Sequence, residues 1–256
     1  MRTALLRTWP LALAGGTVLL LLSRPGAAPQ IEGAKFLGTK ACKLCHQTMV
    51  QTKVYDAWAQ TKHAQAKPDE GAPPDEVYRR VTAYDPQTGR YKEAGVNCED
   101  CHGPSSLHVA AALEQDKKTL NPAKLTPAQA LSICGNCHSQ GTTADGAKYP
   151  KGFQPGQDLM KIWTLAPEVV GDTRLRQLND LQKSKHLQND VTCITCHTPH
   201  GVAKAAPLLR EELNTLCLNC HDGTKAHKCT QNFPPEQKCS ECHMPQKRHV
   251  FAVSKD

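Results

Sequence analysis

Cys193-Ile194-Thr195-Cys196-His197-Thr198-Pro199-His200 is the stretch that decides how this chain is read. Its first five residues spell C-x-x-C-H, the attachment signature for c-type haem. Two thiols add to the haem vinyl groups, and the adjacent His197 becomes the proximal iron ligand. His200 needs a separate explanation. Three residues reach at most about 10 Å when fully extended, and that path would have to round the edge of the porphyrin. His200 is therefore expected to cap a different haem from the one His197 holds.

Working outward, the same signature occurs six times: Cys42/Cys45/His46, Cys98/Cys101/His102, Cys134/Cys137/His138, Cys193/Cys196/His197, Cys217/Cys220/His221 and Cys239/Cys242/His243. Chance at this Cys and His content predicts about 0.03 occurrences, so the repetition carries the reading. A disulfide framework or zinc knuckles would use the cysteines but leave the following histidine unexplained in all six. Six covalently bound haem c groups are expected. The thirteenth cysteine, Cys229, reads as an incidental thiol, with an intermolecular disulfide or a thiolate ligand as alternatives.

Residues 1–28 read as a secretory signal: Arg2 and Arg7, an apolar run over residues 11–22, and small residues Gly26-Ala27-Ala28 before Pro29. The run falls short of the roughly 18 apolar residues of a spanning helix; an uncleaved anchor is the alternative. No cysteine precedes Cys42, so a lipidated N-terminal cysteine is not expected. A periplasmic or otherwise exported location follows, which suits haem attachment outside the cytoplasmic membrane. Aromatic content is only 5%, with four Phe, too little for a large protein core. The expected fold is mainly α with much irregular loop, the haems themselves forming the core. The net charge of +7 does not indicate nucleic-acid binding. Losing Arg2, Arg7 and Arg24 brings it to about +4, and twelve propionates would carry it to about −8.

Along the chain, periodicity predicts a helix over residues 47–66 with Val50, Val54, Tyr55 and Trp58 on its apolar side. Trp58 is expected to pack on a porphyrin face. Residues 67–95 read as an insertion containing a small β-hairpin around Asp85-Pro86-Gln87-Thr88-Gly89. Short helices are expected over 107–118, after the cap Thr126-Pro127, and over 173–185. Residues 139–170 read as a connector. An internal repeat relates Thr61-Lys62-His63 and Val96-Asn97-Cys98 to Ser184-Lys185-His186 and Val191-Thr192-Cys193. It also relates Leu131-Ser132-Ile133-Cys134 to Asn214-Thr215-Leu216-Cys217. The domain reading is thus a three-haem module over 29–150, a connector and helix over 151–185, and a second three-haem module over 186–256.

Six histidines lie outside the motifs: His63, His108, His186, His200, His227 and His249. Six sites and six spare histidines predict bis-histidine ligation throughout. Methionine is the competing ligand and would raise the potential. Met244 adjoins His243, Met49 lies three residues after His46, and Met160 is the remaining candidate.

Gly95-Val96-Asn97-Cys98-Glu99-Asp100-Cys101-His102-Gly103-Pro104 with His108 resembles the tetrahaem cytochromes that accept electrons from hydroxylamine oxidoreductase. Trp58 with Thr61-Lys62-His63-Ala64 resembles a W-x-x-S-x-H-A segment of that group, with Thr for Ser. The run from Cys193 through Pro199-His200-Gly201 to His221 resembles the doubled C-x-x-C-H of periplasmic penta- to decahaem cytochromes. Cys239 to His243 with Met244-Pro245 is similar to their last site. The resemblance spans residues 36–250 and implies spare histidines capping neighbouring haems. Six motifs depart from the tetra-, penta- and decahaem members, so no specific partner carries over.

The leading expectation is an exported electron carrier, not an enzyme. It would exchange electrons with other redox proteins, a membrane quinol-oxidising complex or an outer-membrane conduit. An alternative is a reductase of nitrogen or sulfur oxyanions, which would need one haem with an open face. A third is a subunit of an oligomer or filament in which one protomer caps the next protomer's haem.

Overall fold

The computed structural model describes residues 32–48, 54–111, 118–201, 208–221 and 236–251. Residues 1–28, the expected secretory signal, lie outside the described residues, as do Met49, Val50, His227 and Cys229.

Among the described residues, ten short α-helices are joined by turns and irregular chain. They are α1 (Thr39–His46), α2 (Val54–Ala59), α3 (Pro74–Tyr78), α4 (Cys98–His102), α5 (Ser106–Ala110), α6 (Pro127–Gly135), α7 (Gln177–Leu181), α8 (Cys193–Cys196), α9 (Leu213–Leu218) and α10 (Cys239–His243). Two antiparallel ribbons complete the described elements. In one, β1 (Val81–Thr82) pairs with β2 (Glu93–Ala94), Val81 opposite Ala94; in the other, β3 (Gly141–Thr142) pairs with β4 (Thr164–Leu165), Gly141 opposite Leu165. Among the described residues no helix is long and apolar enough to cross a membrane.

The first ribbon is the expected hairpin. Asp85 shapes its turn: the carboxylate accepts from Gln87 N–H at 2.9 Å and from the Thr88 hydroxyl at 2.6 Å, a local bond that favours turning over extension. The cap at Thr126 is also present. Pro127 opens α6, and Gln129 Oε1 accepts from Thr126 N–H at 3.1 Å.

Three helices are shorter than expected. Over residues 47–66 the chain turns at 47–48, forms α2, and turns again over 60–65. The buried Thr61 hydroxyl accepts from Ala64 N–H at 3.3 Å, a side-chain bond that competes with helix continuation. The 107–118 helix ends at Ala110, with 112–117 outside the described residues. Over 173–185 the Asp172 carboxylate accepts from Arg174 N–H at 2.9 Å and starts a separate 3₁₀ turn, Thr173–Leu175, ahead of α7.

The stretch 139–170 contributes more than a connection. Its Phe153, Leu159 and Trp163 pack with Leu131 of α6 and Leu178 and Leu181 of α7 into the buried apolar cluster. Trp163 Nε1–H donates to Ser139 Oγ at 2.9 Å, which satisfies the buried indole. The apolar residues there lack a clean period because turns, not one helix face, gather them. This small core braces α6 and α7, which carry the third motif and the segment leading to His186.

Candidate haem centres

Residues spaced i, i+3 and i+4 on a helical turn lie on one face. A C-x-x-C-H unit is therefore expected to point two thiols and an imidazole the same way. The second and sixth motifs are themselves the one-turn helices α4 and α10, and the fourth begins as α8. The third and fifth motifs sit instead at the C-terminal ends of α6 and α9, as the repeat implies. The turns opening α4 and α8 are capped alike. Asn97 N–H donates to the Asp100 carboxylate at 2.6 Å, and Thr192 N–H donates to Thr195 Oγ1 at 3.1 Å. In the first of these the hairpin takes part. Buried Thr82 donates its hydroxyl to Asp100 at 2.5 Å and accepts from Asn97 Nδ2 at 2.9 Å.

The twelve motif cysteines carry free thiols, so they are not spent on a disulfide framework. They lie motif against motif. The thiols of Cys42 and Cys98 are close enough to shift one another's acidity, as are those of Cys134 and Cys193 and of Cys217 and Cys239. Cys137 lies in the electrostatic reach of Cys101, and Cys220 in that of Cys196. Consecutive motifs are thus spatial neighbours from the first to the sixth. Burial pushes the Cys101 and Cys137 thiols up to about 12, because it disfavours the charged thiolate.

All six motif histidines line one continuous cavity of about 5080 Å³. A pocket for one drug-sized ligand holds about 300–1,000 Å³, so this space suits several large groups. Trp58 lines it too, with its indole N–H donating to Val96 O at 3.3 Å.

Eleven of the twelve motif cysteines line the cavity as well. Cys45 departs from the expectation: it is half-buried on α1 but does not line the cavity. The way the whole helix is turned, not the motif spacing, gives the reason. At about 100° per residue, Cys45 and His46 lie about 60° and 40° to opposite sides of Cys42. The helix α1 turns Cys42 and His46 to the cavity, which leaves Cys45 on the far flank. The first motif thus presents one thiol and one imidazole here, where its sequence promised two thiols.

Across this cavity ten histidines face each other in five pairs, each pair one motif member and one spare. His46 and His108 have ring centroids 6.4 Å apart, His102 and His200 6.0 Å, and His63 and His138 6.0 Å. His186 and His221 are 5.9 Å apart, and His197 and His249 6.4 Å. Two imidazoles bound on opposite sides of one metal, each by a bond of about 2 Å with the ring centre about 1 Å further on, have centroids roughly 6 Å apart. The spacing and the cavity together fit bis-histidine haem. His200 faces the second motif rather than its own, with the two rings nearly parallel at 7°.

The ring nitrogens are arranged to match. His102 Nδ1 meets Leu120 O at 2.7 Å and His138 Nδ1 meets Arg174 O at 3.0 Å. A backbone carbonyl on Nδ1–H fixes the tautomer and leaves Nε2 for a metal. Burial, together with His138, lowers His63 to about 4. Burial likewise lowers His102, His138, His186, His200 and His249. Neutral imidazole is the form a metal takes.

The repeat also shows in the backbone. Val96 N–H donates to His63 O at 2.9 Å, and Val191 N–H donates to His186 O at 3.1 Å. Thirty-two residues separate the bonded pair in the first copy and four in the second. The whole hairpin insertion is therefore closed off by a bond that its counterpart makes directly.

Sequence reasoning missed two buried carboxylates beside this array. Glu99, in the second motif, accepts from Leu37 N–H (3.0 Å), Gly38 N–H (2.8 Å), and Ser105 N–H (2.8 Å) and hydroxyl (2.7 Å). It thereby joins the lead-in to α1, α4 and the start of the α5 segment that carries His108. Asp180, on α7, accepts from Arg248 Nε at 2.7 Å, Arg248 Nη2 at 2.5 Å and His249 N–H at 3.1 Å. Burial would raise the Asp180 carboxyl, but Arg248, His249 N–H and Arg176 hold it below the ordinary range. The only available signals were adjacency: Glu99 lies between motif cysteines and Arg248 precedes a spare histidine.

Residues 186–226 match the doubled C-x-x-C-H motif family. The chain is 26% identical over 155 residues to "Multiheme cytochrome MtrA" of Shewanella baltica (strain OS185), covering 55% of this chain and 46% of that protein; it thus spans about half the length of that relative. Among solved structures it shares its fold with the outer cell wall cytochrome OcwA, at TM-score 0.55 and 16% identity over 85% of this chain and 80% of that one. The C-x-x-C-H signature repeated along a helix-and-loop fold of this type, with these likenesses, supports a multihaem c-type cytochrome.

Proposed function

We propose that this chain is an exported hexahaem electron carrier whose histidines cap every iron on both faces. The observation that carries this reading is the set of five motif-to-spare imidazole pairs at 5.9–6.4 Å. In it, His108 serves the first motif, His200 the second, His63 the third, His249 the fourth and His186 the fifth. His227 is the histidine left for His243. At the first motif, a rotation of α1 that carries Cys45 to the cavity beside Cys42 completes the attachment pair. Residues 29–150 and 186–256 are the two three-haem modules, and His102 with His200 links them. Haem c, when bound, supplies a one-electron iron couple whose potential follows its ligands, burial and hydrogen bonds. The chain's own residues place those couples side by side, through neighbouring motif cysteines. They close both faces to small molecules, and at the second and third motifs a backbone carbonyl holds the proximal imidazole by its Nδ1. With both faces closed, the protein's substrates are other redox proteins. An MtrA-like relative and an OcwA-like fold favour a place in a chain of cytochromes leading toward the cell exterior.

Mass spectrometry of the holoprotein is expected to show six haems. The oxidised protein should give only low-spin signals by absorption and EPR, and the reduced protein should take up no carbon monoxide. A high-spin signal with carbon monoxide uptake would replace this reading with that of an enzyme with an open site. Any other haem number would overturn the assignment of motifs to haems.

A further inference from the structure

Residues 244–251 form an unusual segment. Three of them, Gln246, Lys247 and Phe251, have positive φ without being glycine. Such backbone persists only where its surroundings over-determine it. The restraints here come from α7. Asp180 is 2% exposed and receives both Arg248 nitrogens together with the backbone N–H of His249. Arg176, one turn earlier, donates to Gln246 O at 2.5 Å and lies 3.9 Å from Asp180. Phe251 then packs against the rings of His186 at 4.3 Å and of His249 at 5.8 Å. The carboxylate on α7 is anchored in turn, because Leu178 and Leu181 on either side of it are in the apolar core.

We propose that Asp180 is a positioning residue: through Arg248 and the His249 N–H it seats His249 opposite His197, and so keeps the fourth haem closed. This rests on the reading of His249 as that haem's distal ligand. A bidentate Arg–carboxylate pair fixes orientation as well as distance. Its third acceptor bond reaches the backbone of the ligand residue itself, so a shift of the pair moves the imidazole directly. No other buried carboxylate in the described residues bonds the backbone of a spare histidine.

The test uses the full-length holoprotein in four forms: parent, H249A, D180A and H249A/D180A. The readouts are carbon monoxide bound per reduced protein and the low-spin EPR envelope of the oxidised form. H249A should bind one carbon monoxide where the parent binds none. D180A should bind carbon monoxide at the same single site, with a shifted low-spin signal for one haem. The double variant should bind no more than H249A alone. D180E, which restores the charge, should recover much of the parent spectrum. Should D180A fail to load six haems, R248M takes its place. Arg248 is over a third exposed, and its loss leaves the core untouched; it should open the same site to a smaller extent. If H249A stays closed, the ligand reading itself is wrong. If H249A opens while D180A, or R248M in its place, remains indistinguishable from the parent, the positioning role is wrong. Uptake in the double variant beyond that of H249A would place the effect at another haem and overturn it equally.

Discussion

The two copies of the repeat reach one geometry by different means. His63 faces His138 at 6.0 Å and 69°, and His186 faces His221 at 5.9 Å and 81°. In the first copy the approach is braced by the hairpin insertion, whose Thr82 closes the cap of the second motif from a fully buried position. In the second copy the link is four residues long and the equivalent Thr192–Thr195 cap is exposed. Support comes there from residues 244–251, with Phe251 on His186 and Arg248 on Asp180. The ring spacing is thus what both copies share, and the scaffold around it differs.

Removing a distal histidine should have the largest effect and should be alike in both copies. H63A and H186A are each expected to convert one haem to high spin and to bind one carbon monoxide per protein. Opening in one copy only would break the correspondence. Next comes the joint between the copies. Gly201 follows His200 at φ +78°, and a Cβ there would lie 2.3 Å from Ala57 O. G201A should cost about 3 kcal/mol through left-handed strain and a backbone clash, measured by denaturant unfolding, and should disturb the haem of the second motif alone. T82V should cost about 1–3 kcal/mol, the penalty for depriving buried polar partners of a bond. T195A, the exposed counterpart, should change stability by less than about 0.5 kcal/mol because water replaces the lost partner. Equal losses from T82V and T195A would show that the two caps are supported alike after all.

These contrasts also mark what the sequence could disclose. The C-x-x-C-H units were legible because such a signature is local: five residues suffice, and no long-range contact is needed to recognise them. Cys45 shows the limit of that locality, since the signature names a thiol without fixing which way its helix is turned. The hairpin at Asp85 and the cap at Thr126 were legible because their bonds are local too. The reach argument at His200 excluded its own haem but could not choose His102, since that choice depends on how the chain folds over about a hundred residues. Helix lengths were overread. Thr61 and Asp172 make side-chain bonds to the backbone that end or restart helices, and hydrophobic period does not register them. The core formed by Phe153, Leu159 and Trp163 was read as connector because its apolar residues come together through turns. Glu99 and Asp180 were invisible as partners, since a buried carboxylate is defined by what surrounds it.

The crossing of His200 to the second motif bears on maturation. His200 lies 98 residues beyond His102. On the proposed reading of an exported carrier, the second haem would be attached long before its sixth ligand had crossed the membrane. On the proposed ligation, the first and third sites, with His108 and His63, would be completed within residues 42–138, and the second would not. A polypeptide that stalls or is clipped before residue 200 would therefore carry an attached haem with one bare face, open to peroxide and other small oxidants. Completing translocation promptly would protect the cell as well as finish the protein.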